Sequence, residues 1–311
     1  MGAPMLGPIA ANQFVIESQV ALSRESWSVL VPILRAQAAG PLIEIGDALA
    51  GQAGSEGQVL GLVEVPSGRI GGLREEVTER QRELLRWIAA TDQPLLSGQG
   101  PRLGVLVRVT HSAALGVREA IYENGADTVV IEWPGLGSRR PRALGTVLRD
   151  LVADPPADLL LVRPHPGGLR RADTPPRILV PVRGGSNAVL AIQVGAALGE
   201  FWGGHLTVLQ VVGTRDGAGA PDEVVVGRLL QDAGEPAVEV SRRRSDDVAG
   251  TILEEAENRD VVILGTAVDQ RPSASLVSPQ MARMVRRLEG TVILVRTVAS
   301  MMRAAREGTG P

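Results

Sequence analysis

VLVPIL, beginning at Val29, returns as ILVPVR, beginning at Ile178, and that return decides the fold. Further along, DTVVIEW from Asp127 returns as DVVILGT from Asp260, and LLLVR from Leu159 returns as VILVR from Val292. Pro32 and Pro181 lie 149 residues apart, whereas Asp127 to Asp260 and Val162 to Val295 are both 133, so the two later matches share one register. The 16-residue difference falls mostly between the second and third strands, because GQVLGLVEV from Gly57 aligns with GHLTVLQVV from Gly204 at an offset of 147. The first copy therefore carries the longer central helix. A period of this length means a duplicated domain rather than a solenoid.

Each repeated run is apolar and too short for a helix, which reads as a buried strand. Between the runs lie segments of helical spacing. Gly40 to Ala50 places Leu42, Ile43, Ile45 and Leu49 for a helix, and Asn187 to Gly199 repeats the pattern with Gly46 against Gly195. LREEVTERQRELLRWIAA, from Leu73, puts Val77, Leu84, Leu85 and Ile88 on one face with its charges outside, an amphipathic helix between strands two and three. Strand two is expected at Val59 to Val65, strand three from Gly104, helix three from Ser112 to Glu123, a last helix from Thr146 to Leu151, and strand five from Asp158 to Arg163. Strands alternating with helices predict an α/β fold. It consists of two tandem, doubly wound, five-stranded parallel sheets, Rossmann-like, each in strand order 3-2-1-4-5.

PHPGGLRRADTPP, from Pro164 to Pro176, has Pro and Gly but no apolar periodicity and reads as a linker. The expected organisation is an N-terminal arm (1–26), a first unit (27–164), the linker (165–176), a second unit (177–298) and a short basic tail (299–311).

Composition narrows the function. Aromatic residues are only 2% against 44% hydrophobic, so the cores are built from Val, Leu, Ile and Ala, as suits parallel sheets. A net charge of -3 and the scarcity of stacking platforms argue against nucleic acid as a partner. All 32 basic residues are Arg, which excludes Schiff-base and Walker-type lysine chemistry. There is no cysteine, and His111, His165 and His205 have no ligand-like spacing, so neither thiolate chemistry nor a metal site is expected. No apolar run reaches 18 residues and no basic residue precedes Arg24, from which a cytoplasmic chain without a membrane span is expected.

In an open parallel sheet, ligands bind beyond the carboxyl ends of the strands, where strands one and four diverge. After the first strand four the chain reads EWPGLGSRRPRALGT, in which Gly135 and Gly145 allow close backbone approach and Thr146 is expected to begin a helix. A helix N-terminus with glycines and a hydroxyl suits an oxyanion, and Arg139, Arg140 and Arg142 in the same loop could offset Glu132 or grip the anion. The Arg242, Arg243 and Arg244 run ending strand three of the second unit reads as a solvated face. Trp133 fills a base pocket or caps the sheet. Ser112 beside His111, and Asp246 with Asp247, read as N-caps of helix three in their units rather than as catalytic groups. No nucleophile, base and orienter set can be assembled, so an enzyme is not expected.

This layout resembles the universal stress protein family in its tandem form, over about residues 28–164 and 177–297. ATP-binding members of that family carry an Asp after the first strand and a Gly-x2-Gly-x9-Gly-Ser/Thr motif after the fourth. Gly135, Gly145 and Thr146 match the motif in the first unit, but Glu132 replaces the leading Gly and Leu34 the Asp. In the second unit Gly265 matches the leading Gly, while Val268, Ser278 and Pro279 take the other positions and Arg183 that of the Asp. The β-branched Val268 obstructs the backbone's approach to a phosphate, and Pro279 removes both the hydroxyl and an N–H donor. The resemblance thus implies ATP or AMP for a first-unit site only, with Gly265 vestigial in the second.

The expected function is a non-enzymatic regulatory or scaffolding module with degenerate nucleotide sites. Tandem units of this kind also form the cytosolic parts of amino-acid permease-type and cation/proton antiporter-type transporters, which the GGSNA segment from Gly184 and Trp133 resemble. A soluble module docking on such a membrane partner is the alternative, and an adenine-nucleotide hydrolase or transferase a third. Both fifth strands, LLLVR and VILVR, are apolar on both faces. Family members dimerise through this strand, which implies that the two units pair fifth strand to fifth strand within the chain, leaving other faces for a homodimer or partner.

Overall fold

The structure, a computed structural model, describes residues 26–35, 38–52, 54–64, 103–135, 142–168, 174–213, 221–266 and 278–298. The arm, the amphipathic segment from Leu73, the C-terminal tail, Arg139, Arg140 and Val268 lie outside these residues.

The first half contains β1 (Ser28–Ile33), α1 (Ala39–Ala50), β2 (Glu56–Glu64), β3 (Leu103–Thr110), α2 (Ala113–Glu123), β4 (Thr128–Glu132), α3 (Arg142–Ala153) and β5 (Asp158–Arg163). The second contains β6 (Arg177–Val182), α4 (Ser186–Trp202), β7 (His205–Val212), α5 (Pro221–Asp232), β8 (Glu239–Arg244), α6 (Val248–Ala256), β9 (Val261–Gly265), α7 (Pro279–Arg287) and β10 (Thr291–Arg296). Strand order runs β3-β2-β1-β4-β5-β10-β9-β6-β7-β8, which is 3-2-1-4-5 in the first half and its reverse in the second. Within each half every pair is parallel.

The two five-stranded sheets continue into each other: β5 and β10 pair antiparallel, Leu161 opposite Leu294, and join the halves into one ten-stranded sheet. The cause lies in those two strands. Leu160, Val162, Ile293 and Val295 belong to one buried cluster and Leu159, Leu161, Val292 and Leu294 to the other, so neither strand has a face that tolerates water. Joining edge to edge covers both faces and satisfies both ladders. Two hydrogen bonds at the ends of the junction repeat the duplication residue for residue. Val298 N donates to Asp158 Oδ1 at 2.8 Å, and His165 N to Thr291 Oγ1 at 3.0 Å. Both acceptors and both donors are 133 apart in the chain.

The alignment of second strands is corrected. Glu56 sits opposite Ser28 and His205 opposite Arg177, an offset of 149 rather than 147. Side chains alternate with period two, so a slip of two residues leaves the apolar pattern unchanged and the sequence cannot distinguish the registers.

One layer, holding α1, α4 and α5, covers one face of the sheet, and the other, holding α2, α3, α6 and α7, covers the opposite face. α1 and α4 contact each other across the junction. Gly46 and Gly195 permit their close approach to the sheet. A Cβ on Gly46 would lie 2.5 Å from Val31 Cγ2, and one on Gly195 3.1 Å from Val180 Cγ2, again at repeat-equivalent positions. Because Val31 is fully buried, Gly46→Val is expected to cost about 2 kcal/mol through overpacking, read as a lowered urea midpoint. An unchanged midpoint would mean that α1 shifts freely on the sheet.

Two prolines open the sheet where a ligand would enter. Ser28 O accepts from Asp127 N and Trp27 O from Glu56 N, so even-numbered residues of β1 face β4. Pro32 therefore turns its missing donor toward β4, where register pairing is confined to Val29 with Thr128 and Leu30 with Val129. Pro181 repeats this toward β9, whose pairing with β6 covers Ile178 with Val261 and Leu179 with Val262. A proline in a central strand is normally excluded by the ladder. Here it stands where the ladder has ended.

Candidate functional site

The carboxyl ends of β1 and β4 thus frame a crevice in the first half, and those of β6 and β9 its counterpart. In the first, Glu132 is the last residue of β4 and only 3% exposed. Arg35, two residues past β1, meets it with both arms of its fork: Nε donates to Oε2 at 2.8 Å, and Nη2 pairs with Oε1. A buried carboxylate needs such a partner, and bidentate geometry supplies it. Arg35 thus offsets Glu132, while Arg139, Arg140 and the Arg142 side chain, expected in that role, lie outside the described residues.

In the second crevice the equivalents of Arg35 and Glu132 are Gly184 and Gly265, and Asn187 from the first turn of α4 fills the space instead. Its Nδ2 donates to Thr266 O at 2.6 Å, and its Oδ1 accepts from Thr297 N at 2.8 Å. It thereby ties the ends of β9 and β10 together. A Cβ on Gly265 would stand 3.1 Å from Asn187 Cβ, so the glycine that matches a nucleotide motif here makes room for a side chain of the protein itself. Asn187→Leu should cost about 2 kcal/mol by stranding the Thr266 carbonyl and the Thr297 amide. Amide hydrogen exchange at Thr297 should accelerate, and unaltered protection there would count against the bridge.

The motif residues are distributed differently from expectation. Gly135 adopts φ +83, a conformation favouring glycine. α3 begins at Arg142, so Thr146 does not start the helix: it and Gly145 lie inside, where their N–H groups serve the helix ladder. The Arg142 and Thr146 side chains fall outside the described part of the structure. Trp133 is fully buried in the cluster that includes Leu30, Val147 and Leu148, so it is core, and its backbone N–H donates to Val162 O at 2.7 Å. Ser278 caps α7 by accepting from Met281 N, with Pro279 in its first turn, so the second unit's hydroxyl serves the helix. Asp247 caps α6 through Gly250 N, as expected, whereas Ser112 occupies the N-cap position of α2 without a side-chain cap bond. The candidate Arg run ends edge strand β8, where Arg243 pairs with Glu255.

One further link was not legible in the sequence. Arg163, at the end of β5, donates to Val285 O at 2.7 Å, Leu288 O at 2.5 Å and Gly290 O at 3.2 Å, tying the first half to the end of α7. Burial disfavours its charge and lowers its pKa. Carbonyls at a helix C-terminus offset that cost. The stem of Arg163 also lies beside Gly135, its Cδ 3.4 Å from where a Cβ would stand.

Solved structures share this fold. A universal stress protein from Archaeoglobus fulgidus is 17% identical, with 89% of this chain and 98% of that one covered and a TM-score of 0.56. The chain has the tandem universal stress protein fold. The same fold likeness extends to the cytoplasmic domain of a prokaryotic cation chloride cotransporter, at 16% identity, 90% and 99% coverage and a TM-score of 0.57. A functionally unknown protein from Pseudomonas aeruginosa gives 14% identity, 94% and 99% coverage and a TM-score of 0.56. No family model and no curated protein matches the sequence. Among the described residues no helix of this universal stress protein fold is long and apolar enough to cross a membrane, and no group of three or more His, Cys, Asp or Glu side chains is placed to hold a metal ion.

Proposed function

We propose that this chain is a non-enzymatic regulatory or scaffolding module whose nucleotide sites are degenerate. One observation carries the reading: each switch-point crevice is occupied by the protein's own side chains, Arg35 with Glu132 in one and Asn187 in the other. A phosphate approaching the first would meet the Glu132 carboxylate, and a nucleotide approaching the second would have to displace two part-buried hydrogen bonds. The anion position left to the first unit is Gly135 with the first turns of α3, where Gly145 and Thr146 lie, and with Arg140 or Arg142. ATP or AMP is its reference ligand. The units of this reading are residues 27–164 and 177–298, acting in the cytoplasm and free to form a homodimer.

The second reading is a soluble module that docks on a membrane transporter at its inner face. The fold likeness to a cotransporter's cytoplasmic domain over 90% of the chain favours it.

Calorimetric titration of the full chain with ATP and with AMP tests the first reading. No binding heat up to about 1 mM is expected, since two displaced hydrogen bonds and a facing carboxylate each work against association. A micromolar dissociation constant for either nucleotide, or its turnover, would overturn it.

A further inference from the structure

We propose that the second half binds a small zwitterion of the α-amino acid class at the amino-terminal ends of β6, β7 and β8, the opposite end of the strands from the crevices. An open cleft of about 580 Å³ lies there, lined by Arg177, His205, Glu239, Glu254, Asn258 and Arg259 among others. A second space of about 260 Å³ shares Arg177, His205 and Asn258 with it.

The walls are held by the fold. Arg177 stands opposite His205 and Thr207 opposite Glu239, which puts these side chains on one face of the sheet, beside α6. Arg259 reaches back from the loop before β9: its Nη1 donates to Thr207 Oγ1 at 2.9 Å and its Nε to Glu255 O at 3.3 Å. The Thr207 hydroxyl in turn lies 3.3 Å from Glu239 Oε2, which it serves as donor. Among the described residues, by contrast, the side chains of Arg177, His205, Glu254 and Asn258 make no hydrogen bond or ion pair. Their donors and acceptors face the space unspent.

Duplication supplies an internal control. By strand register and by the 133-residue offset, Arg177, His205, Glu254, Asn258 and Arg259 correspond to Ser28, Glu56, Ile121, Gly125 and Ala126. The first half makes the same junction of strands and helix without the cluster, so the fold does not require it. The position that both halves keep is Asp127 and Asp260, and Asp260 accepts from Arg177 N at 2.8 Å.

The ligand class follows from the signs of the walls. Arg177 and His205, side by side on neighbouring strands with the Asn258 amide near, offer donors to a carboxylate. Glu254 and Glu239 offer acceptors to an ammonium. A plain anion would face the glutamates and a plain cation the arginines, whereas a molecule with both groups satisfies both walls. The cleft is of small-molecule size. This inference is independent of whether the crevices take nucleotide.

The test is calorimetric titration of the full chain with glycine, glutamate and arginine, and with the N-acetyl and α-amide form of each. At least one free amino acid should bind with a dissociation constant below about 1 mM, and both blocked forms should bind at least about tenfold more weakly. Arg177→Gln and Glu254→Gln, both at exposed positions, should each weaken binding at least about tenfold with unchanged thermal unfolding, while Arg35→Met leaves it intact. Absence of sub-millimolar binding by all three, equal binding of blocked and free forms, or indifference to both substitutions would each overturn the site.

Discussion

Leu160→Arg is expected to break the molecule at its centre. Leu160 is fully buried in β5, opposite Val295 of β10, and belongs to the cluster formed with α1 and α4. An arginine there loses the leucine's packing and places a charge among buried aliphatic side chains, while Asp158, the carboxylate of β5, is already engaged by the Val298 amide. Uncompensated burial of this kind costs about 4–5 kcal/mol or more, a large part of the 5–15 kcal/mol that stabilises an ordinary domain. The halves should come apart, exposing the connection between β5 and β6 to protease and enlarging the hydrodynamic radius, with a thermal transition well below that of the parent. Leu160→Met keeps shape and polarity and should behave almost as the parent does. Were Leu160→Arg to show parental proteolysis and size, the junction of β5 with β10 could not be what holds the halves together.

The second large effect is expected at Arg35. Removing it in Arg35→Met leaves Glu132, which is 3% exposed, as a buried carboxylate facing the open end of β1. Breaking a buried pair costs about 3–5 kcal/mol, and because the Arg35 side chain is 34% exposed, solvent screening brings the expectation to about 2–3 kcal/mol. The double variant Arg35→Met with Glu132→Leu has no charge left to strand and should recover to within about 1 kcal/mol of the parent. Urea unfolding of all four proteins gives the coupling directly. Additive losses, with no recovery in the double variant, would show that the two side chains do not depend on each other.

These residues mark where sequence reading stops. The duplication, the strand order and the apolar fifth strands were legible because a buried parallel strand must be apolar throughout, and that requirement writes itself into consecutive letters. Arg35 was not, because a chain with 32 arginines gives no sign of which one turns back to Glu132, and Arg139, Arg140 and Arg142 stand nearer to it in the sequence on the motif side. Asn187 stood in a segment noticed for its likeness to transporter-associated modules, yet its role depends on two backbone groups 79 and 110 residues away. The start of α3 was misplaced because Gly145 reads as a helix boundary, while a glycine in a helix costs only about 1 kcal/mol and is tolerated where the turn before it has formed.

The antiparallel junction also has a consequence for how the chain is made. β5 is synthesised 133 residues before β10, the strand that covers it, as Arg163 and Arg296 mark. At about 5–20 residues per second on the ribosome, its apolar edge waits about 7–27 s for its partner. During that interval two nascent chains on one messenger can pair β5 with β5, which is the same antiparallel ladder made between molecules. A chaperone that shields this strand, or a lower density of ribosomes on the messenger, should therefore raise the yield of monomer.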